Sequence, residues 1–378
     1  MVRPERKPKE EVIVRTRASE QMSMGPQWVP KVFGGMLGVV LLMGMIGRAD
    51  AEHAGPTGRP ALDPALASYE QGVQVSGTVI VKGSNTMQPL VARLASEFHR
   101  RHPGADIEVE GGGSEMGLKE FLENNVQAKR VAGNGSRPVL LVASSRELTV
   151  AEIKQFTDKH GYEPTAVPVA VDAVAIYVHR DNPLSRLRLD QVDAVFSTTR
   201  KRGYPYEIKK WGQLGLNNGW ENAQIKLYGR DHKSGTRAFI KEHVLGNGEF
   251  DPAVQEEPGA ASVILALSRD PFGMAYSGIG LQNSSVSALP LADKEDMPFI
   301  TPDTTSVMDG SYPLRRLLYF YVNKSPHVAL QPVLRQFLAF ANSREGQQSV
   351  VKVALYPLPI KQVQQNLAAL TPTRVSLK

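Results

Sequence analysis

Cysteine is absent from this 378-residue sequence. No disulfide can staple the fold, and the chain cannot carry a lipobox-type lipid anchor. Long apolar stretches are missing too. The run Val32 to Gly47 (VFGGMLGVVLLMGMIG) has 16 residues, short of the ~20 that a spanning helix takes. The charge excess is small, +6 from 44 Lys/Arg and 38 Asp/Glu, which offers no case for a nucleic-acid partner. No tandem repeat or low-complexity tract is evident. The sequence also lacks the G-x-x-x-x-G-K-[ST] phosphate loop, the H-E-x-x-H zinc motif and a G-x-S-x-G nucleophile elbow. Gly112-Gly113-Ser114-Glu115-Met116 misses the elbow's last glycine. His99 and His102, three apart in HRRH, read as solvated cations at a helix C-terminus with no metal role. No cofactor is expected.

What is there begins with an export signal. Lys31, the short apolar run and Ala49-Asp50-Ala51 read as a secretory signal over residues 1–51, cleaved after Ala51. Residues 1–21 are long and polar for such a signal, and Met22 and Met24 offer alternative starts. Removing 1–51 leaves 36 Lys/Arg against 33 Asp/Glu, a net +3. Residues 52–75 carry Pro, Ala and Gly without periodicity and are expected to be a mobile lead-in.

From Gly77 the chain alternates strands and helices, the pattern of an α/β protein with largely parallel sheets. Val79–Val81 opens the series, and Pro89 starts a helix with Leu90, Leu94 and Phe98 on one face. Ile107–Glu110 and Val139–Ala143 are further strands, with a surface loop over 124–137. Thr149 and Glu152 form a capping box. Val167–His179 and Pro313–Val322 are long extended runs of the kind that cross between lobes. The expected architecture is two-lobed, with residues 76–172 and 313–370 as lobe 1 and 173–312 as lobe 2.

Four strand-to-helix loops carry the chemistry. In Lys82–Met87, Gly83 permits a tight turn, and Ser84 and Thr86 offer hydroxyls beside a helix start. Gly111-Gly112-Gly113-Ser114 lets a ligand approach the main chain, with Ser114 as donor. Ser144, Ser145 and Arg146 follow the third strand. Gly229–Arg237 places Ser234, Gly235 and Thr236 at a helix N-terminus between Arg230 and Arg237. Unpaired N–H groups, the helix dipole and planar guanidinium forks all suit a small dehydrated oxyanion there. Taken singly, each loop is also an ordinary cap. Together, at the carboxyl ends of strands, they fit a ligand cleft.

In this order GSNTMQPL, GGGSEMGLKEFL, ASSREL and GRDHKSGTRAF resemble the PstS-type periplasmic phosphate-binding proteins. GMAYSGIG, YPLRRLLYFYVNK, FLAFANSREGQ and LYPLP extend the resemblance over residues 77–360. It implies a two-lobed solute-binding fold, monomeric and periplasmic, that delivers inorganic phosphate to the membrane permease of an ABC importer, without enzymatic activity. Carried over by position, Thr86, the Met87 backbone, Ser114, Ser144 and Ser145 would hold phosphate from lobe 1. Arg230, Ser234, Gly235 and Thr236 would hold it from lobe 2. Arg146 and Arg237 are either ligand contacts or braces.

One position departs from the best-known branch, which has an Asp where this chain has Ser145. There the carboxylate accepts the proton of hydrogen phosphate and so rejects sulfate. In this chain Glu115, Asp172 and Asp231 are the candidates for that role. Sulfate, molybdate or tungstate binding, and phosphate sequestration or sensing without a transporter, are the competing expectations.

Overall fold

The computed structural model describes residues 60–123 and 139–371, all within one compact unit, Glu52–Lys378. The expected signal of residues 1–51 and the expected loop of residues 124–137 lie outside the described residues. The elements run β1 (Gly77–Gly83), α1 (Gln88–Arg101), β2 (Ala105–Glu110), α2 (Ser114–Glu123), β3 (Val139–Ser144), α3 (Val150–His160) and β4 (Thr165–His179). Then come β5 (Leu187–Arg188), α4 (Leu189–Phe196), β6 (Lys226–Arg230), α5 (Gly235–His243), β7 (Gln255–Glu257) and α6 (Ala260–Leu267). The chain closes with β8 (Gly273–Gly278), β9 (Val286–Ala288), β10 (Leu291–Ala292), α7 (Thr304–Asp309), β11 (Arg315–Val322), α8 (Pro332–Ala341), α9 (Arg344–Lys352) and α10 (Ile360–Leu370).

Local chemistry accounts for the early elements. Pro89 sits in the first turn of α1, where its missing N–H costs nothing, and Leu90, Val91, Leu94 and Phe98 face the core. Thr149 and Glu152 cap α3 reciprocally, as expected, and Gly161 ends it in the left-handed region. The fate of His102 differs from the solvated cation expected of it. It is fully buried, with Nε2 2.8 Å from the Tyr69 hydroxyl, and burial followed by the charge of Arg101 holds its pKa below the ordinary value. His99 Nδ1 lies 2.8 Å from the Ala105 carbonyl. His99 is exposed, as expected, and no group of His, Asp and Glu suited to a metal occurs among the described residues.

Tyr69 belongs to the lead-in, whose described part is tied down. Leu66 is buried, the Arg344 amide donates to the Ala67 carbonyl, and the Tyr69 hydroxyl donates to Gln336.

The sheet order is β2-β1-β3-β11-β4-β8-β6-β7, with β9 also on β4 and a separate β10-β5 pair. Pairing is parallel among β2, β1 and β3 and among β8, β6 and β7. β4 is antiparallel to its neighbours, so the sheet is mixed. β4 changes partners along its length: Thr165–Ala173 pair with β11, and Val174–Val178 pair with β8. Residues from Val167 onward are buried on both faces, as a strand covered by helices on each side must be. Two hydrophobic clusters flank the β1–β3–β11 half, and two others flank the β8–β6 half. Each half is thus a packed layer of its own, joined through β4 and β11.

Candidate functional site

The four loops all leave the carboxyl ends of parallel strands and meet between the two halves of the sheet. Ser114 opens α2 and is fully buried. Its Oγ accepts from the Ser145 amide at 3.1 Å and lies 3.2 Å from Ser145 Oγ. Gly235, the first residue of α5, faces this serine pair: a Cβ there would lie 2.5 Å from Ser114 Oγ and 2.6 Å from Ser145 Oγ. Gly113 has φ +93°, and a Cβ on it would lie 2.2 Å from the Lys233 carbonyl oxygen. Only glycines allow the two halves to approach this closely. Thr86 Oγ1 from the first loop lies 3.3 Å from Thr236 Oγ1 in α5.

Arg230 ends β6 with 1 % exposure. Its Nη2 donates to the Pro258 carbonyl at 3.1 Å, which also accepts from Asn85 Nδ2 of the first loop. Its Nε and Nη1 are buried and take no acceptor among the described residues. Burial, reinforced by the charge of Arg316 and opposed by that of Asp231, pushes the Arg230 pKa down. A buried cation with two uncommitted donors is costly by itself, and an anion bonded to both would offset that cost.

Several expected contacts are engaged elsewhere. Arg146 donates from Nε and Nη2 to Glu115, from Nη1 and Nη2 to Glu152, and from Nη1 to the Glu147 carbonyl. All five of its N–H groups therefore have acceptors. Burial works against its charge, but the hydrogen bonds and charges of Glu152 and Glu115 outweigh burial and raise its pKa. Arg237 donates to the Arg230 carbonyl, pairs with Glu256 at 3.2 Å and covers the Phe250 ring. Ser144 Oγ donates to the Arg146 carbonyl. The Met87 amide donates to the carbonyl and Oγ of Ser84, and Ser234 Oγ caps α5 by accepting from the Thr236 amide. These five residues and Ser84 frame the site, whereas Thr86, Ser114, Ser145, Arg230, Gly235 and Thr236 converge on it.

Of the three candidate carboxylates, Glu115 has both oxygens on Arg146. Asp172 receives two bonds on Oδ2, both from Arg316. Asp231 Oδ1 is buried with no donor among the described residues. Arg316 itself escaped the sequence. It is 5 % exposed, and donates also to the Ser145 carbonyl and to Thr236 Oγ1, each at 3.0 Å. The available signal was a second arginine inside the apolar strand YPLRRLLYFYV. A charge in a buried strand needs a partner.

Known proteins resemble this chain. A model of the PBP superfamily domain matches residues 68–345. The phosphate-binding protein PstS of Pseudomonas aeruginosa is 41% identical over 301 residues, covering 80% of this chain and 89% of that protein. The phosphate-binding protein PstS of Bacillus subtilis is 26% identical over 279 residues, covering 74% of this chain and 79% of that protein. An ABC-type phosphate transport receptor from Vibrio cholerae superposes with a TM-score of 0.57 at 18% identity, covering 74% of this chain and 100% of that one. Its fold is therefore shared. The chain belongs to the PBP superfamily and, within it, to the family of PstS phosphate-binding proteins.

Proposed function

We propose that this protein captures inorganic phosphate between two lobes and passes it to the membrane permease subunits of an ABC importer. The supporting observation is Arg230: a guanidinium with 1 % exposure whose Nε and Nη1 have no acceptor among the described residues. The hydroxyls of Thr86, Ser114, Ser145 and Thr236 and the start of α5 supply neutral donors around it. The relatives it matches are named phosphate-binding proteins, in line with an arrangement that binds without transforming. Residues 76–172 with 313–370, and 173–312, act as the lobes, and phosphate selects the closed conformer by touching both. The signal of residues 1–51 sends the chain to the periplasm, where it works as a monomer.

Calorimetry with phosphate before and after Arg230→Ala tests the assignment. Affinity should fall at least a hundredfold in the variant. Unchanged affinity would remove Arg230 from the site, and equal competition by sulfate would overturn the phosphate assignment.

A further inference from the structure

Asp172 on β4 and Arg316 on β11 are direct partners across the strand pair, 1 % and 5 % exposed. Arg316 Nε and Nη2 donate to Asp172 Oδ2 at 3.0 and 2.7 Å. The remaining bonds go outward: Nη1 to the Ser145 carbonyl and Nη2 to Thr236 Oγ1. Ser145 follows β3 in one half of the sheet, and Thr236 lies in α5 behind β6 in the other. One guanidinium therefore spans both ligand-bearing loops. The ring of Phe239, also on α5, lies 5.4 Å from it.

A buried ion pair is a poor source of net stability, since well-packed apolar residues of similar volume serve as well. We propose that Arg316, held in place by Asp172, is a positioning residue that latches the closed site. This rests on the phosphate assignment above. Parting Gly235 from Ser114 and Ser145 would break the Arg316–Thr236 bond. The Asp172 pair, made between neighbouring strands, would survive. Arg316 thus favours the closed conformer and slows phosphate escape, while capture by an open conformer does not depend on it. Lysine cannot replace it, because one ammonium does not present a planar fork to three acceptors.

The test is a double-mutant cycle of Asp172→Asn and Thr236→Val, read as phosphate affinity and dissociation rate, with melting curves to check folding. Each single change should weaken binding about tenfold. Thr236→Val also removes a hydroxyl beside the anion, and the cycle isolates the part that runs through Arg316: the double variant should be at least fivefold tighter than the product of the single effects. The loss should lie in dissociation, with association within about threefold of wild type. Arg316→Lys should reproduce the faster dissociation and replaces Asp172→Asn if that variant does not fold, while Thr236→Ser, which keeps the acceptor, should restore the slow rate. Effects that multiply to within twofold, or a loss carried by association, overturn the latch. A wild type that binds sulfate or molybdate in place of phosphate overturns the phosphate assignment alone, and the cycle is then read in that anion. A wild type that binds none of them overturns both.

Discussion

Gly235 lies against Ser114 so closely that a Cβ on the glycine would stand 2.5 Å from the serine Oγ. This contact joins the start of α5 to the start of α2, two helix N-termini from opposite halves of the sheet. Gly235→Ala should therefore leave each half folded but hold them apart. Phosphate affinity should drop at least tenfold while the ligand-free melting temperature changes little. Wild-type affinity in this variant would show that the close approach is dispensable.

Arg230 carries an inverted expectation for stability. Its buried Nε and Nη1 have no acceptor among the described residues, so removing the charge relieves a desolvation cost. Arg230→Met should melt no lower than wild type without ligand. With phosphate at about 100 times the wild-type Kd, wild type gains about 2.7 kcal/mol and the variant gains nothing comparable. A variant that melts well below wild type in the absence of phosphate would contradict this account.

Arg146 should behave in the opposite way. It is 7 % exposed and bridges Glu115, Glu152 and the Glu147 carbonyl. Losing one partner of a fully buried pair costs about 3–5 kcal/mol. Glu115 is a third exposed, so Arg146→Ala should cost nearer 2–3 kcal/mol. Denaturant titration checks the size, and phosphate affinity measured where the variant is folded should stay within about threefold of wild type.

The same network sets an acid limit. Burial pushes the Glu152 carboxyl up, but the Arg146 bond and the Thr149 amide and hydroxyl bonds outweigh it, leaving the pKa below the ordinary value. A depressed carboxylate stabilises the fold above its unfolded pKa of about 4.3, and the contribution fades as pH falls from there through the folded value. Melting temperature should therefore decline below about pH 5. Glu152→Gln should flatten that decline, and an identical slope in the variant would assign it to other groups.

Asp231 is the candidate acceptor whose Oδ1 is buried without a donor among the described residues. An acceptor there favours an anion that carries a proton. Asp231→Asn should narrow the preference for phosphate over sulfate at least tenfold in competition binding. An unchanged ratio would transfer that role to Asp172.

Sequence alone specified the longer strands and several of the helices. Pro89 and the Leu90–Leu94–Phe98 face specify α1, and Thr149 with Glu152 specifies the start of α3. Such signals are local, because capping and helical periodicity involve residues within a few positions of each other. Short strands such as β5, β7, β9 and β10 were not legible, since each exists through its partner rather than its own pattern.

The site divided along the same line. Ser114, Gly235, Thr236 and Arg230 stand out in sequence because glycines, hydroxyls and arginine at helix starts suit an anion. Which arginine is uncommitted was decided by tertiary contacts: Arg146 meets Glu115 and Glu152, Arg237 meets Glu256, and Arg230 has no acceptor for Nε or Nη1 among the described residues. Arg316 reaches Thr236, 80 positions away in sequence, and Asp172, 144 positions away. The spacing of residues along the chain cannot encode those bonds, because they depend on β4 and β11 pairing and on the two halves of the sheet facing each other.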